Sequence, residues 1–310
     1  MRALVAAPGR PANVELRDVA EPEPSPNEAV VEVRASSLNR GECSALQSAA
    51  DGWRPGWDVA GVIAEPSADG PGPPAGARVL GWSNGGGWAE RVAVRSDHVA
   101  AIPDELTFEV ASTLPVAGLT AMGALAFGEP IRGRRVAVTG AAGGVGRYAV
   151  QLAHAAGAEV TAIVGSPERG RGLSELGADR IEPALEAEGE PFDLVLESAG
   201  GPSLAAALTR VSADGTVVSF GNSSNAPTTF DARGFYRRGG PVMRGYLVTH
   251  ELLEGRLGTV QLDELVSMAA DGRLRTEIDL TVPWAEAATA VTALLERRVR
   301  GKAVLTVGPA

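Results

Sequence analysis

The segment Arg135-Val-Ala-Val-Thr139-Gly140-Ala-Ala-Gly143-Gly144-Val145-Gly146 decides how the chain is read. Its first five residues are a short β-branched run, and over residues 145–157 small and apolar side chains recur at helical spacing. The glycine cluster therefore lies between a predicted strand and a predicted helix. Ala141, Gly143 and Gly146 fall on the three positions of G-x-G-x-x-G, with alanine at the first. A backbone with so little Cβ bulk turns tightly and lets a pyrophosphate reach the helix N-terminus. Ala141, Ala142, Gly143, Gly144, Val145 and Gly146 are thus candidate dinucleotide contacts.

Toward the C-terminus the strand-then-helix unit recurs. Residues 159–164 (EVTAIV) precede a helical stretch at 167–176, and residues 193–197 (DLVLE) precede another at 203–211. Further strands are predicted at 216–220 and 242–247, with a short one at 180–182. Five or six strands alternating with helices predict a doubly wound parallel α/β sheet over residues 118–247. Before it, residues 1–117 read as short extended runs, at 29–35, 60–64, 78–81 and 88–94, broken by glycine and proline, which predicts a β-rich domain. Residues 66–76 (PSADGPGPPAG) read as a surface loop. Residues 248–310 carry helical patterns at 261–271 and 285–297 and a last strand at 302–307. Because the sheet is already complete, this tail is predicted to return to the first domain.

The end of the second sheet strand selects the dinucleotide. An acid there would bind the ribose 2′-hydroxyl of NAD and repel a 2′-phosphate. The chain reads Val164-Gly165-Ser166-Pro167-Glu168-Arg169, with no carboxylate directly at the strand end. Ser166 can donate a hydrogen bond and Arg169 can pair with a phosphate dianion, which predicts NADPH with Gly165, Ser166 and Arg169 as contacts. Ser166 also reads as the N-cap of the next helix, with Pro167 at its first position.

Composition bounds the rest. With 310 residues, 45% hydrophobic and 21% charged, the chain is long enough for two cores and reads as a cytoplasmic enzyme. No apolar stretch reaches the roughly 18 residues of a membrane span, and Pro8 interrupts the start before a signal-peptide core forms. A net charge of −10 argues against nucleic acid as a partner. One cysteine, Cys43, and three histidines exclude an intrachain disulfide and a four-cysteine zinc lobe. Lys302 is the sole lysine, which makes Schiff-base chemistry a poor fit.

Four stretches together carry a family resemblance: Leu114-Pro-Val-Ala-Gly-Leu-Thr-Ala121, the loop at 141–146, Val218-Ser-Phe-Gly-Asn-Ser-Ser224 and Arg300-Gly-Lys-Ala-Val-Leu-Thr306. Over essentially its whole length the chain resembles the medium-chain dehydrogenase/reductase superfamily, in its zinc-independent quinone oxidoreductase (zeta-crystallin-like) branch. The resemblance implies a GroES-like β-barrel catalytic domain built from both chain ends, a Rossmann domain between them, and a homodimer through the last Rossmann strand at 242–247. It implies that Asn39 and Thr120 lie at the nicotinamide, that Ser198 and Gly200 lie near the adenosine side, and that Phe220, Gly221, Asn222 and Ser223 hold the nicotinamide ribose. It places Lys302 near the pyrophosphate, with a solvated lysine as the alternative. Zinc-dependent members bind their catalytic metal with a cysteine and a Gly-His-Glu motif. Here Asn39 and Gly56-Trp57-Asp58 stand in those places, so no metal ligand is assigned.

Two departures shape the expected chemistry. The tyrosine that relatives place near the adenine is missing at 181–183, and residues 40–58, where relatives offer tyrosines to the substrate, contain none. Without zinc or that tyrosine, nothing obvious deprotonates an alcohol. Hydride addition from NADPH to a quinone or an α,β-unsaturated carbonyl needs only hydrogen-bond donors on the carbonyl oxygen and a proton from solvent. Asn39, Thr120 and backbone N–H groups near 244–247 are the candidate donors. Trp57, with Trp53, reads either as a pocket wall or as packing. Glu42 reads as structural, His98 as exposed, and Tyr236 and Tyr246 as packing and dimer-strand residues. Two alternatives stay open: a pathway-specific enoyl reductase acting on a carrier-bound, polyketide-like substrate, and a non-catalytic, crystallin-like NADPH-binding protein.

Overall fold

Strands dominate the first hundred residues because runs of valine and alanine alternate with glycine and proline breakers. The computed structural model describes residues 1–70 and 72–308. Pro71, within the loop expected at 66–76, and Pro309 and Ala310, within the tail expected at 248–310, lie outside the described residues. The chain divides into two compact units, one of Met1–Leu119 with the chain from Thr249 onward, the other of Thr120–Val248.

In the first unit, β1 (Arg2–Ala6) and β2 (Val14–Asp18) form an antiparallel pair. The larger sheet uses β3 (Glu28–Ser37), β4 (Asp58–Glu65), β5 (Arg78–Trp82), β6 (Arg91–Arg95) and β7 (Val99–Ala101). Helix α1 (Arg40–Leu46) joins β3 to β4, and α2 (Phe108–Ser112) and α3 (Pro115–Ala126) follow β7. The ten-residue β3 organises the sheet. It pairs with β6 through residues 28–32, with β4 through residues 30–35, and near its end with a strand from the tail.

The second unit alternates as its periodicity predicts. Its elements are β8 (Arg135–Thr139), α4 (Gly144–Ala155), β9 (Glu159–Ile163), β10 (Arg180–Glu182), β11 (Phe192–Glu197), α5 (Gly201–Arg210), β12 (Val211–Ser219), α6 (Ala232–Tyr236) and β13 (Val242–Gly245). The six strands are parallel in the order β10-β9-β8-β11-β12-β13. That order reverses direction between β8 and β11, the point at which doubly wound sheets open a binding crevice. The helix expected at 167–176 is a correction. Only a single 3-10 turn forms, Pro167–Gly170, followed by turns. Gly170, Gly172 (φ +80°) and Gly177 (φ +105°) punctuate the segment and deny it a continuous helical ladder.

The tail contains α7 (Val248–Leu253), α8 (Thr259–Ala270), β14 (Ile278–Pro283), α9 (Ala287–Leu295) and β15 (Lys302–Thr306). It completes the first sheet in the order β14-β15-β3-β4-β5-β7. Val304 lies opposite Ser37 in an antiparallel register, and the Leu38 N–H donates to the Ala303 carbonyl at 2.9 Å. Val304 and Leu305 are fully buried, each worth about 1.5–3 kcal/mol of apolar burial, which makes β15 an integral strand. Leu305, Trp284 and Val291 share one core with Leu4, Val31, Val33, Val59 and Trp88. The architecture is a GroES-like unit made from both ends of the chain, plus a Rossmann-type parallel sheet.

Candidate functional site

The parallel sheet brings the predicted dinucleotide residues to one edge, because every loop that leaves the carboxyl end of a strand emerges on the same side. The glycine loop follows β8, residues 165–169 follow β9, Ser198 and Gly200 follow β11, and residues 220–223 follow β12. These loops interlock. The Ser198 hydroxyl donates to the Thr139 carbonyl at 3.1 Å, the Phe220 N–H to the Glu197 carbonyl at 2.9 Å, and the Ser223 N–H to the Ser198 carbonyl at 3.1 Å. The Ala141 N–H donates to the Ile163 carbonyl at 3.1 Å, tying the glycine loop to the end of β9.

Two glycines in this crevice are sterically required. A Cβ on Gly146 would come within 2.4 Å of the Gly140 carbonyl oxygen and 2.5 Å of Ala141 Cα. On Gly200, which has φ +71°, it would come within 2.1 Å of Asn222 Oδ1. The first intrahelical bond of α4 is Arg147 N–H to the Gly143 carbonyl at 3.0 Å. The N–H groups of Gly144, Val145 and Gly146 therefore belong to the unsatisfied first turn. With Ala141 and Ala142 buried behind them, this half-exposed, glycine-lined helix start fits a pyrophosphate.

Glu197 was not singled out in the sequence, yet it holds the crevice together. It is fully buried. Its carboxylate accepts from the Ala199 N–H at 2.9 Å, from the Gly200 N–H at 3.0 and 3.2 Å, and from the Thr139 hydroxyl at 3.3 Å. The signal was an acid ending an apolar run, DLVLE, immediately before Ser-Ala-Gly-Gly. Ser166 does not cap a helix; the exposed Glu168 carboxyl is held below its usual range by a hydrogen bond from its own backbone N–H first and by the Ser166 hydroxyl second. Arg169, half-buried, is the cation nearest the end of β9 in sequence.

In the first unit, Asn39, Glu42, Asp58 and Lys302 form one hydrogen-bonded cluster. Asn39 precedes α1, and Glu42 reaches back to its N–H at 2.8 Å, the returning arm of a capping box. Both donors of the Asn39 amide are used, on Glu42 at 3.2 Å and on Asp58 at 2.8 Å. Its Oδ1 accepts from Lys302 Nζ at 2.8 Å. Lys302 Nζ also donates to the Leu38 carbonyl at 3.1 Å and to Asp58 Oδ2 at 3.2 Å. Ser37 and the Val116 N–H complete the shell of Asp58, at 2.7 and 2.8 Å.

These contacts correct two expectations. Lys302 is neither solvated nor able to serve a pyrophosphate, because it is 3% exposed and its three N–H donors have three protein acceptors. Asn39 is half-buried but has no donor left for a nicotinamide or a carbonyl. Glu42 is wholly buried and also accepts the Gly56 and Trp57 N–H groups, each at 3.0 Å. Burial foremost, then the charge of Asp58, pushes its carboxyl up to about 8 against the pull of its donors and of Lys302.

The remaining predicted residues are distributed as follows. Trp57 is half-buried and lies against α1, where a Cβ on Gly41 would come within 2.9 Å of its ring. Trp53 packs on the core of the first unit. Thr120, in α3, is 5% exposed. Tyr246 is buried edge-on against Phe127 at 5.6 Å, whereas Tyr236 is exposed rather than packed. His98 is not exposed but 1% accessible. It lies edge-on to Trp82, with Nε2 3.1 Å from the Leu252 carbonyl, and burial lowers its pKa.

A catalytic zinc does not fit the residues present. Asn39 is saturated as an amide, Trp57 offers no lone pair, and burial pushes the Cys43 thiol up, so it stays protonated. Among the described residues, no group of three or more histidine, cysteine or acidic side chains could hold a metal ion, and no helix is long and apolar enough to cross a membrane.

Comparison with known proteins agrees with this two-part architecture. The family described as "Alcohol dehydrogenase GroES-like domain" matches residues 25–104, and that described as "Zinc-binding dehydrogenase" matches residues 176–305. A quinone oxidoreductase of Pseudomonas aeruginosa is 30% identical over 98% of each chain. The spectinabilin polyketide synthase system protein NorB of Streptomyces orinoci is 34% identical over 92% of this chain, which spans only 13% of that much longer protein. The Escherichia coli quinone oxidoreductase, solved in complex with NADPH, superposes with a TM-score of 0.87 at 23% identity, over 99% of this chain and all of that one. The chain belongs to the medium-chain dehydrogenase/reductase superfamily of oxidoreductases.

Proposed function

We propose that the protein is an NADPH-dependent, zinc-independent reductase that transfers hydride to a quinone or an α,β-unsaturated carbonyl. The observation that carries this is the crevice at the carboxyl edge of the parallel sheet, where a glycine-lined helix start adjoins a β9 end with no carboxylate on the strand terminus. NADPH, when bound, supplies the hydride. Residues 143–146 would hold the pyrophosphate, Gly165 and Arg169 the 2′-phosphate, Ser198 and Gly200 the adenosine side, and residues 220–223 the nicotinamide ribose. The Thr120 hydroxyl is the candidate donor to the substrate carbonyl. Solvent supplies the proton.

The test is one titration. Protein treated with a chelator is titrated with NADPH and NADH, then mixed with 1,4-benzoquinone or 3-penten-2-one. Tight NADPH binding followed by oxidation is the expected result. Activity lost on chelation would count against zinc independence, and no binding at all would overturn the assignment of the glycine loop. A second reading, an enoyl reductase for carrier-bound acyl chains, is favoured by the match to a polyketide synthase. Turnover of a pantetheine enoyl thioester but not of free quinone would select it. We also read the protein as a homodimer, because β13 pairs with β12 on one edge and its four residues are exposed.

A further inference from the structure

The turn proposed to seat the 2′-phosphate carries an acid as well as Arg169. Strand β9 ends at Ile163, and a Cβ on Gly165 would meet no atom within 4 Å, so the strand end borders open space. The chain then closes one tight turn, in which the Arg169 N–H donates to the Ser166 carbonyl at 3.1 Å. Glu168 lies inside that turn and is exposed. Its carboxylate folds back along the chain, where it accepts from its own backbone N–H and from the Ser166 hydroxyl. The cation whose charge acts on it is Arg171, not Arg169. The Ala141 N–H, bonded to the Ile163 carbonyl at 3.1 Å, ties this strand end to the glycine loop, so acid and pyrophosphate seat belong to one crevice of one unit.

A serine hydroxyl has one proton to give, and while it serves Glu168 it cannot serve a phosphate. A carboxylate within hydrogen-bonding distance of that hydroxyl also stands beside any phosphate held there, and like charges so placed repel. A ribose 2′-hydroxyl is the opposite case. It has a proton to donate, and an acid beyond the second strand of such a sheet accepts it. In this chain the strand terminus lacks that acid, but the turn that follows supplies one.

We propose that Glu168 sets cofactor specificity against Arg169: it accepts the ribose 2′-hydroxyl of NADH and opposes the 2′-phosphate of NADPH, so that NADPH is preferred by less than tenfold. This rests on the dinucleotide crevice proposed above. The test is calorimetric and needs no turnover. Wild type, Glu168→Gln and Glu168→Lys are titrated with adenosine 2′,5′-bisphosphate and 5′-AMP, which differ only in the 2′-phosphate, and with NADPH and NADH. Preference for the phosphorylated member of each pair should rise at least fivefold in Glu168→Gln and further in Glu168→Lys. NADH itself should bind Glu168→Gln at least twofold more weakly. Because Glu168 is exposed, the gap between wild type and Glu168→Gln for the bisphosphate should narrow as KCl is raised from about 0.1 to about 1 M. A purely structural acid would leave both the ratio and its salt dependence unmoved.

An unchanged or lower preference in Glu168→Gln, NADH binding that does not weaken there, or a wild-type preference for NADPH above tenfold would overturn the proposal and leave the crevice in place. If no nucleotide binds any of the three proteins, the crevice assignment itself fails, and the role of Glu168 falls with it.

Discussion

At the scale of single residues, the ammonium of Lys302 shows how surroundings set a role. Its three donors tie β15 to Leu38, Asn39 and Asp58. Removing it would leave Asp58, 0% exposed, with an unpaired charge. Lys302→Met should therefore lower stability by about 3–5 kcal/mol, read from denaturant unfolding. Glu42 makes a pH prediction. With its carboxyl raised from the ordinary 4.5 to about 8, the folded protein holds one more proton than the unfolded chain between those values. Stability should fall as pH rises across that window, by up to about 1.4 kcal/mol per pH unit, and flatten above it. Unfolding measured from pH 5 to 9 should show this decline in the wild type and lose it in Glu42→Gln. On the nucleotide side, Arg169→Glu should weaken NADPH at least tenfold more than NADH in a fluorescence titration. An equal effect on both would remove Arg169 from the phosphate site.

At the scale of elements, the turn from β8 into α4 carries the most consequence per residue. Gly146→Ala places a methyl against two backbone atoms, which cannot move as a flexible side chain can. The strain expected is about 1–3 kcal/mol, and the displaced α4 start should lose dinucleotide binding, checked by thermal melting alongside an NADPH titration. This element was legible in advance because its signal is local: a β-branched run, small residues, then helical spacing. The segment 167–176 misled for the complementary reason. Its apolar spacing suggests a helix, but Gly170, Gly172 and Gly177 favour turns, and the segment closes as a 3-10 turn instead. His98 misled as well, since nothing within Ser96-Asp97-His98 announces that Trp82 and the Leu252 carbonyl cover its ring.

At the scale of the whole molecule, light scattering should give a mass twice that of the 310-residue chain, and Met243→Arg on the exposed β13 should shift it to the monomer without unfolding. A wild-type monomer at micromolar concentration would rule out pairing through this strand. By itself, the sequence determined the alternation of strand and helix in the second unit, the return of the tail, and the glycine crevice. Each follows from short-range periodicity and from steric limits on adjacent residues. Only the tertiary structure decided what Lys302, Glu42, Asp58 and Glu197 do. The partners of Lys302 lie 244 to 264 positions away, and whether a charged group is matched, saturated or left without an acceptor depends on which distant backbone the fold brings beside it.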